Sequence, residues 1–166
     1  MRNTCACILL SLCACASTHR PSVPAPVPRD MQAIVNSYDD VARYNALFGI
    51  SSINSTWVPE HYATIIRRRN EAFHIRGTAA YFLGKTRASN AYLILTKTAN
   101  DLTDDESVRE GAVVGLGHLG DRRAIPLLER IARTAAENPF MRESAKKALS
   151  RIALEQYESI APVDSR

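Results

Sequence analysis

Leu116-Gly117-His118-Leu119-Gly120-Asp121-Arg122-Arg123-Ala124-Ile125-Pro126 reads as the end of one helix, a tight turn and the start of another. A glycine in this stretch can take the left-handed geometry that closes the first helix, because it has no Cβ to meet the following carbonyl. Asp121 can accept from the free amides that open the next helix. Pro126 falls within that helix's first turn, where few amide donors are needed. One such helix pair cannot bury its own apolar face and must stack on a neighbour.

The neighbours are present in the sequence. Arg76, Arg109 and Arg142 stand 33 residues apart, and their surroundings repeat with them. Three residues after each arginine comes Ala79, Ala112 or Ala145; seven after comes Leu83, Leu116 or Leu149. Gly84 and Gly117 follow, with Ser150 in the third unit, and Ala91, Ile94 and Leu95 align with Ala124, Leu127 and Leu128. A fixed period of this size is the mark of an all-α solenoid of helix pairs. The alanines are small where packed helices come close, and the leucines fill the space between layers. Arg76, Arg109, Arg142, Leu83, Leu116, Leu149 and Asp121 are thus the repeat-defining positions.

The pattern extends toward the N-terminus in weaker form. Met31, Ile34, Val35, Tyr38, Val41 and Ala42 follow the rhythm of one helix face, with Asp30 placed to cap it and Gly49 to end it. A second helix is expected from Pro59, with Tyr62, Ile65 and Ile66 inward. It runs into Arg67, Arg68 and Arg69, which spread around the helix and read as solvated end charges rather than an anion site. Residues 30–70 fit either degenerate repeats or a cap. The acidic run Asp101, Asp104, Asp105 and Glu106 lacks the glycine turn and terminal Glu of a calcium loop, and reads as a capped helix entry.

Val108-Arg109 and Leu116 to Leu128 resemble the short HEAT-like repeats of phycobilisome lyases, with their Val-Arg-x-x-Ala and Leu-Gly-x-x-Gly-Asp-x-Arg-Ala patterns. The resemblance runs from Ile75 to about Ala153. It also brings in the HEAT-like deoxyhypusine hydroxylases, which hold two irons on His-Glu pairs set just after Val-Arg. Here those positions carry Gly77-Thr78, Glu110-Gly111 and Glu143-Ser144, and His19, His61, His74 and His118 are scattered. The residues therefore give no expectation of a metal, a cofactor or a catalytic group, and His118 reads as a turn histidine.

The 166 residues, 46% apolar and 23% charged, fit one folded domain, and a net charge of +4 without a basic stripe argues against nucleic acid. All four cysteines, Cys5, Cys7, Cys13 and Cys15, lie in the first fifteen residues. Their setting, Arg2 followed by an apolar run, has the layout of an export signal and is too short to span a bilayer. Leu12-Cys13-Ala14-Cys15 resembles the lipobox of bacterial lipoproteins, which implies a signal at residues 1–14 and a lipidated Cys15. A soluble protein released at Ala14-Cys15-Ala16 and a zinc site on the paired cysteines are the alternatives. Residues 15–29, with Pro21, Pro24, Pro26 and Pro28, form an extended tether, residues 30–158 the repeat domain and residues 159–166 a tail.

These features lead to the expectation of a non-enzymatic scaffold. It would be anchored to the membrane by its lipid at the cell envelope, on the periplasmic face of the outer membrane, and bind a protein partner. Trp57, Arg130 and Arg133 are the candidate contacts, although Trp57 is also explained by packing. The alternative is an intracellular HEAT-like lyase or hydroxylase.

Overall fold

A computed structural model describes residues 37, 39–53 and 55–160 of the chain. The leader, Cys15 and the tether fall outside these residues, as does everything beyond residue 160. Seven α-helices occupy the described part: α1 (Asp40–Ser51), α2 (Trp57–Arg67), α3 (Phe73–Lys85), α4 (Ala91–Asn100), α5 (Glu106–Leu119), α6 (Ile125–Arg133) and α7 (Pro139–Ile160). The first helices of the repeats, α1, α3, α5 and α7, stack side by side as one layer. The second helices α2, α4 and α6 cover its other side, so the chain folds as the expected helical solenoid.

The local signals act where the sequence places them, with shifts at the start. Gly120 has φ +73° and closes α5, and Asp121 accepts from the amide of Arg123 to open a short 3-10 turn (Arg122–Ala124) that runs into α6. Arg87, one repeat earlier, holds the same left-handed geometry at φ +53° without being glycine. Asp39 caps the first described helix by accepting from Val41 N at 2.9 Å, while the expected cap Asp30 and the positions Met31, Ile34, Val35 and Tyr38 lie outside the described residues. That helix passes through Gly49 to Ser51, because a helical glycine with nothing within 4 Å of its Cβ position is no obstacle. The next helix begins at Trp57, two residues before Pro59, since a first-turn proline needs no amide partner.

The core is continuous through the stack. Leu83, Leu116, Ala79, Ala112 and Ala145 are fully buried, and Tyr62 packs flat against Phe82 while its hydroxyl donates to Leu47 O at 3.0 Å. Helices α3 and α5 approach through glycines: a Cβ on Gly84 would lie 2.0 Å from Gly115 O, and one on Gly111 would lie 2.2 Å from Gly77 O. Backbone meets backbone along this seam. Leu149 departs from its equivalents: it is only partly covered, and Ala148 and Ile152 take the buried positions on α7.

The repeat arginines carry a second, polar ladder. Arg76 Nε donates to Ile66 O at 3.0 Å, and its two terminal nitrogens reach both oxygens of Asp104 at 2.7 and 2.6 Å. Arg109 repeats this with Ala99 O and Glu137, the latter at 2.6 Å. Arg43, one period before Arg76, donates to Glu71 at 3.2 and 3.0 Å. In each case the carboxylate lies 28 residues after the arginine, just ahead of the next first-layer helix. Arg43, Arg76 and Arg109 are therefore each closed by an acid of the next repeat, and Arg43 and Glu71 show that residues 40–71 obey the same rule.

Candidate functional site

Surface hollows of similar size, about 460, 440 and 390 Å³, lie at different places in the stack, so volume does not select among them. The first lies at the α1–α2 junction, lined by Ser51, Ser52, Ser55, Thr56 and Lys85. The third lies between α2 and α4, and its carboxylates are already engaged. There Arg69 pairs with Asp101 and with Asp104, at 2.9 Å for the latter. The Asp101 carboxyl is held down at about 2 by hydrogen bonds from the Thr103 hydroxyl and Arg69.

The second hollow is a groove across the first-helix layer, at the residues that follow Arg43, Arg76 and Arg109. Helix α1 contributes Tyr44 and Phe48, α3 contributes His74, Gly77, Thr78 and Tyr81, and α5 contributes Ser107, Glu110, Gly111 and Val114. Tyr44 stands edge-on to Phe48 at 5.2 Å and 5.8 Å from His74, while Tyr81 meets His118 edge-on at 4.9 Å. Glu110 is fixed by Ser144, whose hydroxyl donates to it at 2.6 Å. Aromatic rings beside one anchored carboxylate suit a cationic, amine-bearing group, and Lys85 already lies 5.5 Å from the Tyr81 ring centre. The floor is glycine because the helices touch there.

That floor also answers whether a metal fits. Gly77 and Gly111 take positions where the hydroxylase resemblance would put ligands. A side chain begun at Gly77 meets Ser107 O at 2.7 Å, and one begun at Gly111 meets Gly77 O at 2.2 Å. Among the described residues no three His, Cys, Asp or Glu side chains are grouped to hold an ion. The described residues do not fit a di-iron centre.

The other sequence candidates lie elsewhere. Trp57 is only 5% exposed and stands edge-on to His61, so packing removes it from the surface where a partner would meet it. Burial and the nearby Arg68 push the His61 imidazole down from its usual range. Arg130 and Arg133 are exposed on α6, held by Asn100 and by Glu129 at 3.4 Å, and neither lines the groove. The structural arginines Arg76, Arg109 and Arg142 and the turn residue Asp121 stay with the scaffold. Glu71, Asp104 and Glu137 were missed as a set, although their own 33-residue spacing was readable.

Residues 108–134 match the family model described as PBS lyase HEAT-like repeat. The chain is a HEAT-like repeat protein. Deoxyhypusine hydroxylase of Candida albicans is 30% identical to it over 124 residues, 70% of this chain and 38% of that protein. The enzyme of the same name from Candida glabrata is 29% identical over 117 residues, 66% of this chain and 36% of its own length. The HEAT-like chain thus spans little more than a third of these curated relatives. The solved structure of human deoxyhypusine hydroxylase in complex with glycerol shares the fold with a TM-score of 0.65 at 20% identity, covering 82% of this chain and 48% of that one.

These relatives correct the expectation of a non-enzymatic scaffold at a bacterial cell envelope. The lipobox likeness rested on four residues, whereas the relation to proteins named as enzymes, from eukaryotes, extends over more than a hundred. Among the described residues no helix is long and apolar enough to cross a membrane.

Proposed function

We propose that this HEAT-like chain serves a hydroxylase-type reaction on an amine-bearing side chain of a protein, with the α1/α3/α5 groove holding that side chain. The observation that carries the reading is the 30% identity over 124 residues to a protein named for acting on deoxyhypusine. The groove adds chemistry of the matching sign. Tyr44, Phe48 and Tyr81 offer aromatic rings whose faces attract an alkylammonium, and Glu110, oriented by Ser144, offers a carboxylate. The described residues hold the substrate and exclude water from one side of it; they supply no ligand set for iron, and no oxygen-transfer step is assigned to them.

The test is calorimetric titration of the full chain with a deoxyhypusine-containing peptide and with its unmodified lysine counterpart. Saturable binding that prefers the deoxyhypusine form and is weakened about tenfold by Glu110→Gln is the expected result, in line with the loss of one charge-assisted hydrogen bond. Absence of binding to both peptides overturns the reading. Gain of one oxygen atom by the peptide on adding iron(II), dioxygen and a reductant, followed by mass spectrometry, extends it from holding to turnover.

A further inference from the structure

Lys85, His118 and Arg151 stand 33 residues apart, at the same position on α3, α5 and α7, so the stack lines them up as one row. The row is in contact with itself. Arg151 Nη1 lies 3.1 Å from His118 Nδ1, the His118 ring meets Tyr81 edge-on at 4.9 Å, and the Lys85 ammonium lies 5.5 Å from the same Tyr81 ring centre. The acid one turn along α7, Glu155, is taken by Arg87 at 2.7 Å. Arg43, Arg69, Arg76, Arg109 and Arg123 are each closed by a carboxylate, whereas among the described residues no ion pair forms on Lys85 or Arg151. The imidazole registers the resulting field: burial first, then the charges of Arg151, Lys85 and Arg87, push His118 below its ordinary range. A surface that gathers like charges without closing them is relieved by an anion.

We propose that the Lys85–His118–Arg151 row is a second anchor for the protein whose amine-bearing side chain enters the groove, and that it takes an acidic segment of that protein. The inference rests on the groove reading for its occupant and on the row itself for its sign. Tyr81 belongs to both places: it lines the groove, and Lys85 and His118 stand against its ring. Glu110 and His118 share α5 and lie eight residues apart, about 12 Å along the helix axis. About four extended residues cover that distance, so a segment that presents an amine to Glu110 passes the row with its near neighbours. Glu110 selects a cation and the row selects carboxylates, which fixes the direction in which the segment lies. A nucleic acid fits less well, because Glu155 beside the row and Glu110 beyond it repel a continuous run of phosphates.

The experiment is calorimetric titration of the full chain at low salt with three deoxyhypusine peptides, flanked on both sides by glutamates, by serines or by lysines. The glutamate peptide is expected to bind roughly tenfold more tightly than the serine peptide, the lysine peptide more weakly than either, and the glutamate advantage is expected to fade as salt is added. In the Lys85→Gln, Arg151→Gln double variant the ratio of glutamate to serine affinity is expected to fall to near one. The Lys97→Gln, Arg122→Gln variant removes the same charge elsewhere on the surface and is expected to keep the ratio. All four side chains are exposed, and circular dichroism shows that each variant is folded. Glutamate and serine peptides that bind alike overturn the inference and leave the groove reading standing, as does a glutamate preference that persists without Lys85 and Arg151. A glutamate peptide with norleucine in place of deoxyhypusine separates the reverse case: equal binding that still needs Lys85 and Arg151 removes the groove reading and leaves the acidic dock. Failure of every peptide to bind overturns both.

Discussion

Arg76 grips Asp104 through both terminal nitrogens, at 2.7 and 2.6 Å, and so ties the third helix of the stack to the loop that launches the fifth. The pair is buried, with side chains 5% and 4% exposed. Burial pushes the Asp104 carboxyl up, but the Arg76 hydrogen bond, the Asp105 amide and the arginine charges outweigh it and hold the group below its ordinary range. Arg109 and Glu137 make the same tie one repeat later, with Arg109 also bound to Ala99 O. Each tie crosses a repeat boundary, which makes the ladder a coupling between units rather than a stabiliser within one.

Removing one member of such a tie leaves the other charge buried and unpaired. Arg109→Met and Glu137→Gln are each expected to cost about 3–5 kcal/mol of unfolding free energy. The double variant, with no charge left to strand, is expected to lose clearly less than the two single losses added together. Urea unfolding of the four proteins gives the double-mutant cycle. Strict additivity would show that the two groups do not act as a pair.

The seam between α3 and α5 separates two classes of glycine. A Cβ at Gly84 falls 2.0 Å from Gly115 O, a backbone atom that cannot swing aside, so Gly84→Ala must push the helices apart and is expected to cost about 1–3 kcal/mol. Gly49 lies in α1 with nothing within 4 Å of its Cβ position, so Gly49→Ala is expected to gain about 0.5–1 kcal/mol by helix propensity. Opposite signs for the same substitution, read from thermal melts, are the result to look for.

Arg87 and Gly120 occupy equivalent turns with φ +53° and +73°. Only glycine takes this geometry without strain, so Arg87→Gly is expected to stabilise by up to about 1 kcal/mol. That gain holds despite the loss of the exposed Arg87–Glu155 pair at 2.7 Å, since exposed pairs contribute little. Gly120→Ala is expected to destabilise, because it adds both left-handed strain and contact with Glu155. Chemical unfolding of the two variants checks the pair of signs.

Much of this architecture was legible because a stacked repeat writes its packing twice over. The period marked Leu83 and Leu116 as core and Gly120-Asp121 as a turn, and the structure places them so. Three things escaped. The carboxylates that close the arginines were hidden because Glu71, Asp104 and Glu137 differ in type and sit in loops, where helical periodicity gives no guide. The groove was missed because Tyr44, His74 and Glu110 come from three helices, and a line of sequence does not show which faces those helices turn outward. Leu149 was assigned to the core by register alone, although burial at that position needs a following repeat to cover it.

Two histidines set the pH response at the mild end. Burial, helped by Arg68, lowers His61, and burial together with Arg151, Lys85 and Arg87 lowers His118. A neutral imidazole is thus favoured by the fold, while the unfolded chain takes up a proton near the ordinary value of about 6.5. As pH falls through that value the unfolded state binds protons that the folded state declines, and stability drops. Asp101, Asp104 and Asp121 are lowered instead, so their contribution is present above the ordinary carboxylate value of 3.8 and is lost only as pH falls below it. Melting temperature is therefore expected to fall in two separate steps, one beginning near pH 6.5 and one below pH 4. The His61→Gln, His118→Gln double variant is expected to lose the first step and keep the second. A first step that survives both substitutions would assign it to another group.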